Sequence, residues 1–208
     1  MCESIKSIIF KRLEESPPHS IFFLNDFAEL GSLETIRKVF LQARLAGLVS
    51  HLSHGIYVRP MISRFGEVPP PLETVAKEIA KRDYVKIMPT GSTAANLLGL
   101  STQIPMNVSY LTTGSSRKIN IGNRFIQFKH AAPKNFAYKG TTIPLIVQAL
   151  RDLGEKNINE ETLSSLALYI ENAKDKDSFV SDLILAPVWI QSIIKPLVTE
   201  KNEALATI

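Results

Sequence analysis

Three consecutive prolines, Pro69 to Pro71, constrain this chain more than any other feature of its sequence. Proline lacks a backbone N–H and fixes φ, so the run can continue neither a helix nor a central strand, and it holds the chain extended. We interpret residues 63–72, which also contain Gly66, as a linker. The linker predicts two domains, residues 1–62 and residues 73–208, and a chain of 208 residues can supply a core for each.

Charge is distributed unevenly along the chain, whose net charge is +4. Residues 1–63 hold seven Lys and Arg against six Asp and Glu, residues 64–150 eleven against four, and residues 151–208 six against ten. A basic middle and an acidic C-terminal part predict two surfaces that can serve two different partners.

We expect a cytoplasmic protein: the single cysteine, Cys2, can form no internal disulfide, and neither a secretory signal nor an apolar run of ~20 residues is apparent.

Apolar spacing and turn residues predict a series of short elements in residues 1–62. A first helix carries its apolar residues at helical spacing, namely Ile5, Ile8, Ile9 and Leu13. A strand at Ile21–Phe23, a short helix after Asn25 and a tight turn at Gly31 come next, before a third helix. Two short strands then enclose a polar tip, residues 51–55. This order is that of a winged helix-turn-helix, which predicts a DNA-binding domain.

The third helix is the one expected to enter the major groove of DNA. Ser32 can cap it, and its predicted core face consists of Leu33, Ile36, Phe40 and Ala43. Glutamine can read adenine, arginine or lysine can reach guanine or a phosphate, and hydroxyls near a helix N-terminus can donate to phosphate. Basic and histidine side chains at the wing can contact the DNA backbone. The predicted DNA-binding residues are Ser32, Thr35, Arg37, Lys38, Gln42, Arg44, His54 and Arg59.

Residues 73–208 predict a second, mixed domain. It begins with a helix (73–82), a strand (85–88) and a helix (93–98) that Ser92 is expected to cap. Three further strand-like runs are separated by residues typical of tight turns, which predicts an antiparallel meander over 108–112, 118–121 and 124–130.

From about residue 142 the apolar spacing of this second domain becomes helical, with Gly154 expected to end one helix and Asn159 to cap the next. We therefore predict an α+β protein: a winged helix-turn-helix, then a mixed α/β domain with a small antiparallel sheet and a helical C-terminal end.

The segment Thr90–Ala94 raises the question of catalysis. It lacks the Gly-x-x-x-x-Gly-Lys-Ser/Thr pattern of a phosphate-binding loop and the Gly-x-Ser-x-Gly pattern of a nucleophile elbow. No carboxylate pair suits acid–base work, and His51 and His54 lie on the predicted wing tip without the further ligands that zinc requires. We expect no enzyme activity, no metal and no cofactor.

A second group of basic residues follows or lies within the three predicted strands, interleaved with Phe125, Phe128, Phe136 and Tyr138. Basic groups with aromatics can hold a nucleic-acid backbone and stack bases, although aromatics in alternating strands more often pack in a core. This basic surface either extends the DNA footprint, meets an acidic partner, or is a solvated face. Its residues are Arg117, Lys118, Arg124, Lys129, Lys134 and Lys139.

Two stretches of the chain resemble a known family. Asp26-Phe27 with Leu30-Gly31-Ser32, Leu45-x-x-Gly47-Leu48-Val49 and Gly55-Ile56-Tyr57 resemble the winged helix of AbiEi-like antitoxins, regulators of bacterial abortive-infection (type IV toxin–antitoxin) operons. The run Pro89–Pro105, with Tyr110–Gly114 and Ile126–Ala131, resembles a DUF6088-type branch of that group. The resemblance covers roughly residues 1–150 and gives little for the helical C-terminal part.

The resemblance implies a protein with two roles. Its winged helix would bind double-stranded operator DNA and repress its own operon, and its C-terminal region would counter a nucleotidyltransferase-like toxin, with or without direct contact. No residue-level antitoxin site follows from it. Three alternatives stay open from the residues alone: a winged helix that docks only protein, a repressor that senses a small ligand, and an enzyme built on the central motif. The last would need a pocket with perturbed titratable groups, which the sequence does not show.

Overall fold

The computed structural model describes residues 4–101 and 105–205, with side chains as far as Val198. The contacts between residues divide the chain into two compact units: Met1–Ile79 with Ile119–Phe125, and Ala80–Lys118 with Ile126–Ile208. Helices and short strands occur in both, so the prediction of an α+β protein is confirmed. Among the described residues, no helix combines the length and the apolar character that crossing a membrane requires.

The first unit begins with helix α1 (Ile5–Glu15), strand β1 (Ile21–Phe23), a 3-10 helix (Leu24–Leu30) and helix α2 (Leu33–Leu45). Strands β2 (Ser50–Ser53), β3 (Ile56–Val58), β4 (Met61–Ser63) and β5 (Gly66–Val68) follow. The first three strands form one antiparallel sheet in the order β1-β3-β2, and β4 pairs with β5 in a separate antiparallel hairpin.

A chain of aromatic rings forms the centre of this unit's core. The ring of Phe40 lies 5.2 Å from that of Phe27, edge to face, and 4.8 Å from that of Tyr57. Ile9 and Leu13 of α1 are fully buried in the same cluster, as their helical spacing predicts. Offset and edge-to-face rings are the favourable geometries for such pairs, so α2 is held firmly by one of its faces.

The segment interpreted as a linker contains most of the β4–β5 hairpin. The imidazole Nε2 of His19 lies 3.0 Å from the carbonyl oxygen of Val68, and the hydroxyl of Ser50 donates to the carboxylate of Glu67 at 2.8 Å. These bonds fasten β5 to the rest of the first unit. Pro69–Pro71 then lead directly into helix α3 (Leu72–Arg82).

The second unit contains most of a four-stranded sheet and most of the remaining helices. After α3 come strand β6 (Ile87–Pro89), helix α4 (Ser92–Leu97) and strands β7 (Val108–Thr112), β8 (Arg117–Ile121) and β9 (Arg124–His130). The helical part consists of α5 (Thr142–Leu153), α6 (Glu160–Glu171), α7 (Phe179–Leu183) and α8 (Val188–Leu205).

The prediction of an antiparallel meander is wrong. The strand order is β6-β7-β9-β8, and β7 runs parallel to β9, with Tyr110 opposite Phe128. The four residues after β7 carry the chain past the end of β9, so that β8 lies beside β9 and does not pair with β7. His130 holds this crossing loop: its backbone N–H donates to the hydroxyl of Ser116 at 2.8 Å, and its Nδ1 lies 2.9 Å from the carbonyl oxygen of Gly114.

The caps of the second unit are predicted with mixed success. Asn159 caps α6, since its side chain accepts from the N–H of Thr162 at 2.8 Å, and Gly154 ends α5 at φ +79°. The prediction that Ser92 caps α4 is wrong, because Ser92 is itself the first helical residue and Gly91 precedes it. Gly91 has φ +61°, a conformation that glycine adopts without strain, so backbone geometry starts this helix without a side-chain cap.

Candidate nucleic-acid interface

Helix α2 begins where its sequence predicts. The hydroxyl of Ser32 accepts the backbone N–H of Thr35 at 3.2 Å, and the two hydroxyls lie 2.9 Å apart. Such a cap satisfies one of the N–H groups that a helix leaves without a partner at its start, and it stabilises the helix by ~1 kcal/mol. The two candidate side chains at the N-terminus of α2 are therefore already engaged in its cap.

The faces of α2 follow from its burial pattern. The predicted core residues Ile36, Phe40 and Ala43 are fully buried, and Val39 is buried with them. The prediction for Leu33 is wrong: it is 47% exposed, because it lies at the first turn, to one side of the buried face. The outward residues are Thr35, Arg37, Lys38, Leu41, Gln42, Arg44 and Leu45.

The helical repeat of 3.6 residues sorts these outward residues into three strips. Arg37 and Arg44, seven residues apart, share one edge of the exposed face, and Thr35 and Gln42 share the opposite edge. The central strip contains Lys38 and the exposed side chains of Leu41 and Leu45, which are 53% and 81% exposed. A basic edge and an uncharged hydrogen-bonding edge thus flank a partly apolar centre.

Lys38 is paired within its own helix. Its Nζ lies 2.8 Å from a carboxylate oxygen of Glu34, one turn earlier, and both side chains are largely exposed. Pairs of this kind contribute only ~0.3–0.5 kcal/mol, so a phosphate can compete for the lysine. Glu34 in the first turn also places a negative charge at the N-terminal end of α2, where it opposes the approach of a phosphate.

The two candidates on the β2–β3 hairpin have different surroundings. His54 lies exposed at the tip, beside Gly55 with φ +68°. Arg59, just after β3, is only partly exposed, and its guanidinium donates a hydrogen bond to the carbonyl oxygen of Leu13 at the end of α1. Arg59 therefore has a role in joining the sheet to α1, and His54 is the more accessible of the two.

A groove of about 370 Å³ opens beside the C-terminal end of α2. Arg44 contributes to it from the helix, Ser50 and His51 from β2, and Ile62 and Glu67 from the β4–β5 hairpin. The groove places Arg44, from the arginine edge of α2, next to a hairpin that the sequence does not predict. No signal for that hairpin was available, since each strand has three residues and the turn residues resembled a linker.

The second group of basic residues is not a uniform surface. Arg117 donates to Asp83 and lies 5.4 Å over the ring of Phe128, and Arg124 donates to the carbonyl oxygen of Pro70 at 3.4 Å. Burial alone would raise the pKa of Asp83, but hydrogen bonds from Arg82 and Arg117 hold that pKa below its usual value. The exposed members of the group are Lys118, Lys129, Lys134 and Lys139.

Two carboxylates of the second unit, those of Asp182 and Asp175, accept hydrogen bonds from backbone N–H groups. Asp182, only 1% exposed, accepts the N–H groups of Lys139 at 2.8 Å and Gly140 at 2.7 Å. Asp175 accepts those of Thr141 and Thr142 at the start of α5. Within residues 4–101 and 105–205, no three His, Cys, Asp or Glu side chains come together as a group that could hold a metal ion.

Comparison with known proteins places most of the chain in one family. The family model described as "Family of unknown function (DUF6088)" matches residues 8–177, which include most of α1, the whole of α2, the four-stranded sheet and α5 and α6. No curated protein matches the chain in sequence.

Proposed function

Because the chain belongs to the DUF6088 family, whose function is unknown, we propose that its first unit is a winged helix that binds double-stranded DNA and that the protein represses its own operon. The observation that carries this proposal is the division of the exposed face of α2 into an arginine edge, Arg37 and Arg44, and a hydrogen-bonding edge, Thr35 and Gln42. The opposite face is fixed in the aromatic core, so the helix can be presented to a groove without reorganisation.

The two edges of α2 would make different kinds of contact with the DNA. Arginines on one edge neutralise phosphates or form paired hydrogen bonds with guanine, while Gln42 on the other can pair with adenine. His54 at the wing tip would contact the backbone beside the helix. Most of the affinity would then come from phosphate neutralisation, and most of the sequence preference from the face of α2.

The resemblance to AbiEi-like antitoxins extends the proposal to the second unit. We propose that it counters a nucleotidyltransferase-like toxin, without catalysis or a cofactor of its own. The support is the motif at Pro89–Pro105, part of which forms β6 and α4 and part of which, residues 102–104, lies outside the described residues. The test is survival of cells that express the neighbouring toxin with and without this chain.

A second candidate function is protein docking by the same helix. Leu41 and Leu45, one turn apart in the centre of the exposed face, favour it, because an apolar pair suits the core of a protein interface. DNA can accommodate the same pair only as a contact with thymine methyl groups or as a spacer.

The experiment is a gel-shift titration of the full-length chain against the DNA upstream of its own reading frame, with a scrambled duplex of equal length. Arg37→Ala/Gln42→Ala/Arg44→Ala removes both edges, and Leu41→Ala/Leu45→Ala removes the apolar centre. A control, Lys156→Ala/Lys174→Ala, removes the same number of charges from the second unit. Selective binding lost only in the triple variant supports the proposal; absence of selective binding by the parent refutes it and leaves protein docking.

A further inference from the structure

We propose that the β4–β5 hairpin is a second DNA-contacting arm, whose tip residues Arg64 and Phe65 bind the sugar–phosphate backbone beside the half-site that α2 reads. This inference rests on the proposed function, since it adds a contact to the same DNA surface. It goes beyond that function because the winged-helix arrangement requires only α2 and the β2–β3 wing, and the hairpin comes after both.

The tip of the hairpin is ordered before any partner arrives. Ser63 pairs with Gly66 across a turn formed by Arg64 and Phe65, and Gly66 at φ +111° has the conformation that the turn demands. The hydroxyl of Ser63 accepts the N–H of Phe65 at 3.2 Å and donates to the carbonyl oxygen of Gly66 at 2.9 Å. A tip fixed in this way loses little conformational entropy on binding.

The two tip side chains are exposed together. The ring of Phe65 is 86% exposed, and the guanidinium of Arg64 lies 4.6 Å from its centre. Phe65 adds almost nothing to its own unit's core, so its ring is available to a partner. Arginine stacked on a ring keeps the edges of its guanidinium for hydrogen bonds to phosphate, and the ring itself can pack against a sugar or a base step.

The base of the hairpin, at Glu67 and Val68, fixes the position of its tip relative to the rest of the first unit. His19 holds Val68 and Ser50 holds Glu67, so both residues of β5 nearest the base of the hairpin are bonded to the main body of the unit. Ile62 and Glu67, which lie opposite each other in the hairpin, line the groove that Arg44 lines from α2. The hairpin therefore stands beside the arginine edge of α2, across a groove that also contains His51.

The charges of this region favour a polyanion over a protein partner. Arg44 lines the groove from α2, Arg37 lies on the same edge of that helix, and Arg64 is at the tip of the hairpin whose Ile62 and Glu67 line the groove. The acid in the groove, Glu67, already accepts a hydrogen bond from Ser50. A DNA strand that crosses the groove would meet Arg44 at its α2 wall and, at the tip of the hairpin, the exposed pair of Arg64 and Phe65.

The test uses the full-length chain and the DNA upstream of its own reading frame, measured by titration at several salt concentrations and by hydroxyl-radical footprinting. Arg64→Ala should lower the log–log salt slope by about 0.9, the value of one phosphate contact, and Arg64→Lys should retain it. Phe65→Ala should weaken binding at least about fivefold at unchanged slope, the lower end of what an aromatic stack contributes. Each should remove the same patch of protected sugars, and Lys156→Ala should change neither quantity.

The outcomes separate this inference from the proposed function. If the parent binds selectively but Arg64→Ala and Phe65→Ala keep its affinity, slope and footprint, the arm is refuted while the reading by α2 stands. If the parent binds no DNA, both are refuted. If Phe65→Ala instead abolishes self-association in light scattering and leaves the footprint of each protomer unchanged, the hairpin is a contact between copies of this chain and the arm is again refuted.

Discussion

Asp175 accepts two hydrogen bonds from Thr142, one from its backbone N–H at 2.9 Å and one from its hydroxyl at 2.5 Å. The same carboxylate accepts the N–H of Thr141 at 2.5 Å. These are N–H groups that α5 cannot satisfy within its own first turn, and a negative charge there also suits the helix dipole. A residue more than thirty positions later in the chain thus completes the start of the most buried helix of the second unit.

Asp175→Asn should destabilise the protein by ~1–3 kcal/mol, because an amide cannot accept all of these bonds and at least one buried donor loses its partner. Urea unfolding monitored by circular dichroism measures the difference. Asp177→Asn is the matched control, since it removes the same charge from an exposed residue two positions along. Equal losses in the two variants would contradict a specific role for Asp175.

The stability of the protein should fall in acid partly through the same carboxylate. Burial alone would raise the pKa of Asp175, but hydrogen bonds from Thr142 and Thr141 hold that pKa below the usual 3.8. A depressed folded-state pKa gives stability that is complete above the unfolded-state pKa and is lost as pH falls through the folded-state value. The gap in unfolding free energy between the parent and Asp175→Asn should therefore be constant from pH 7 to 5 and shrink below about pH 4. A gap that stayed constant to pH 2.5 would rule this out.

Gly140 should tolerate no side chain. A Cβ at this position would overlap the carboxylate of Asp175 and the hydroxyl of Ser178, which lie on the segment that holds α5. We expect Gly140→Ala to cost ~1–3 kcal/mol through this overpacking, and to lower the melting temperature. Lys139→Ala, at the exposed neighbouring position, is the control and should leave the melting temperature unchanged within about a degree.

Substitutions on the two edges of α2 should change different properties of DNA binding: its salt dependence on the arginine edge and its sequence preference on the hydrogen-bonding edge. Arg37→Ala should lower the salt slope of DNA binding by about 0.9 if Arg37 neutralises a phosphate. Gln42→Ala should leave that slope unchanged and cost ~1–3 kcal/mol on operator DNA but not on scrambled DNA, because a base contact discriminates between sequences. Titrations on both duplexes at four salt concentrations measure each quantity. Identical behaviour of the two variants would contradict the division into edges.

Local signals in the sequence predicted local structure well. Ser32 and Asn159 each cap a helix, and the cause lies within three residues of the cap. Spacing alone predicts the burial of Ile36, Phe40 and Ala43 on α2, but it misses Val39, which is buried, and is wrong at Leu33, where the first turn is too near the helix end to be covered.

The sequence did not predict the pairings between segments that lie far apart in the chain. The turn residues before β8 are compatible with either a hairpin or a crossing loop, and only the pairing of β7 with β9 decides between them. The sequence predicts Arg117 to be a surface cation, because its partner, Asp83, lies 34 positions earlier in the chain and no local signal links the two. For the candidate DNA surface, the outward residues of α2 were predictable, but the hairpin that carries Arg64 and Phe65 was not.

The first unit includes seven residues, Ile119–Phe125, from much later in the chain, where they form the end of β8, the turn after it and the start of β9. A ribosome that has released residues 1–79 has therefore not yet supplied everything from which this unit is built. Domains made from one continuous stretch can be completed as soon as they emerge, whereas this unit has all of its residues only when more than forty further residues have been translated. During that interval the buried cluster of the first unit, whose members lie between Ile9 and Tyr57, can already form, and residues 119–125 can join the unit only after β8 and the start of β9 have been translated.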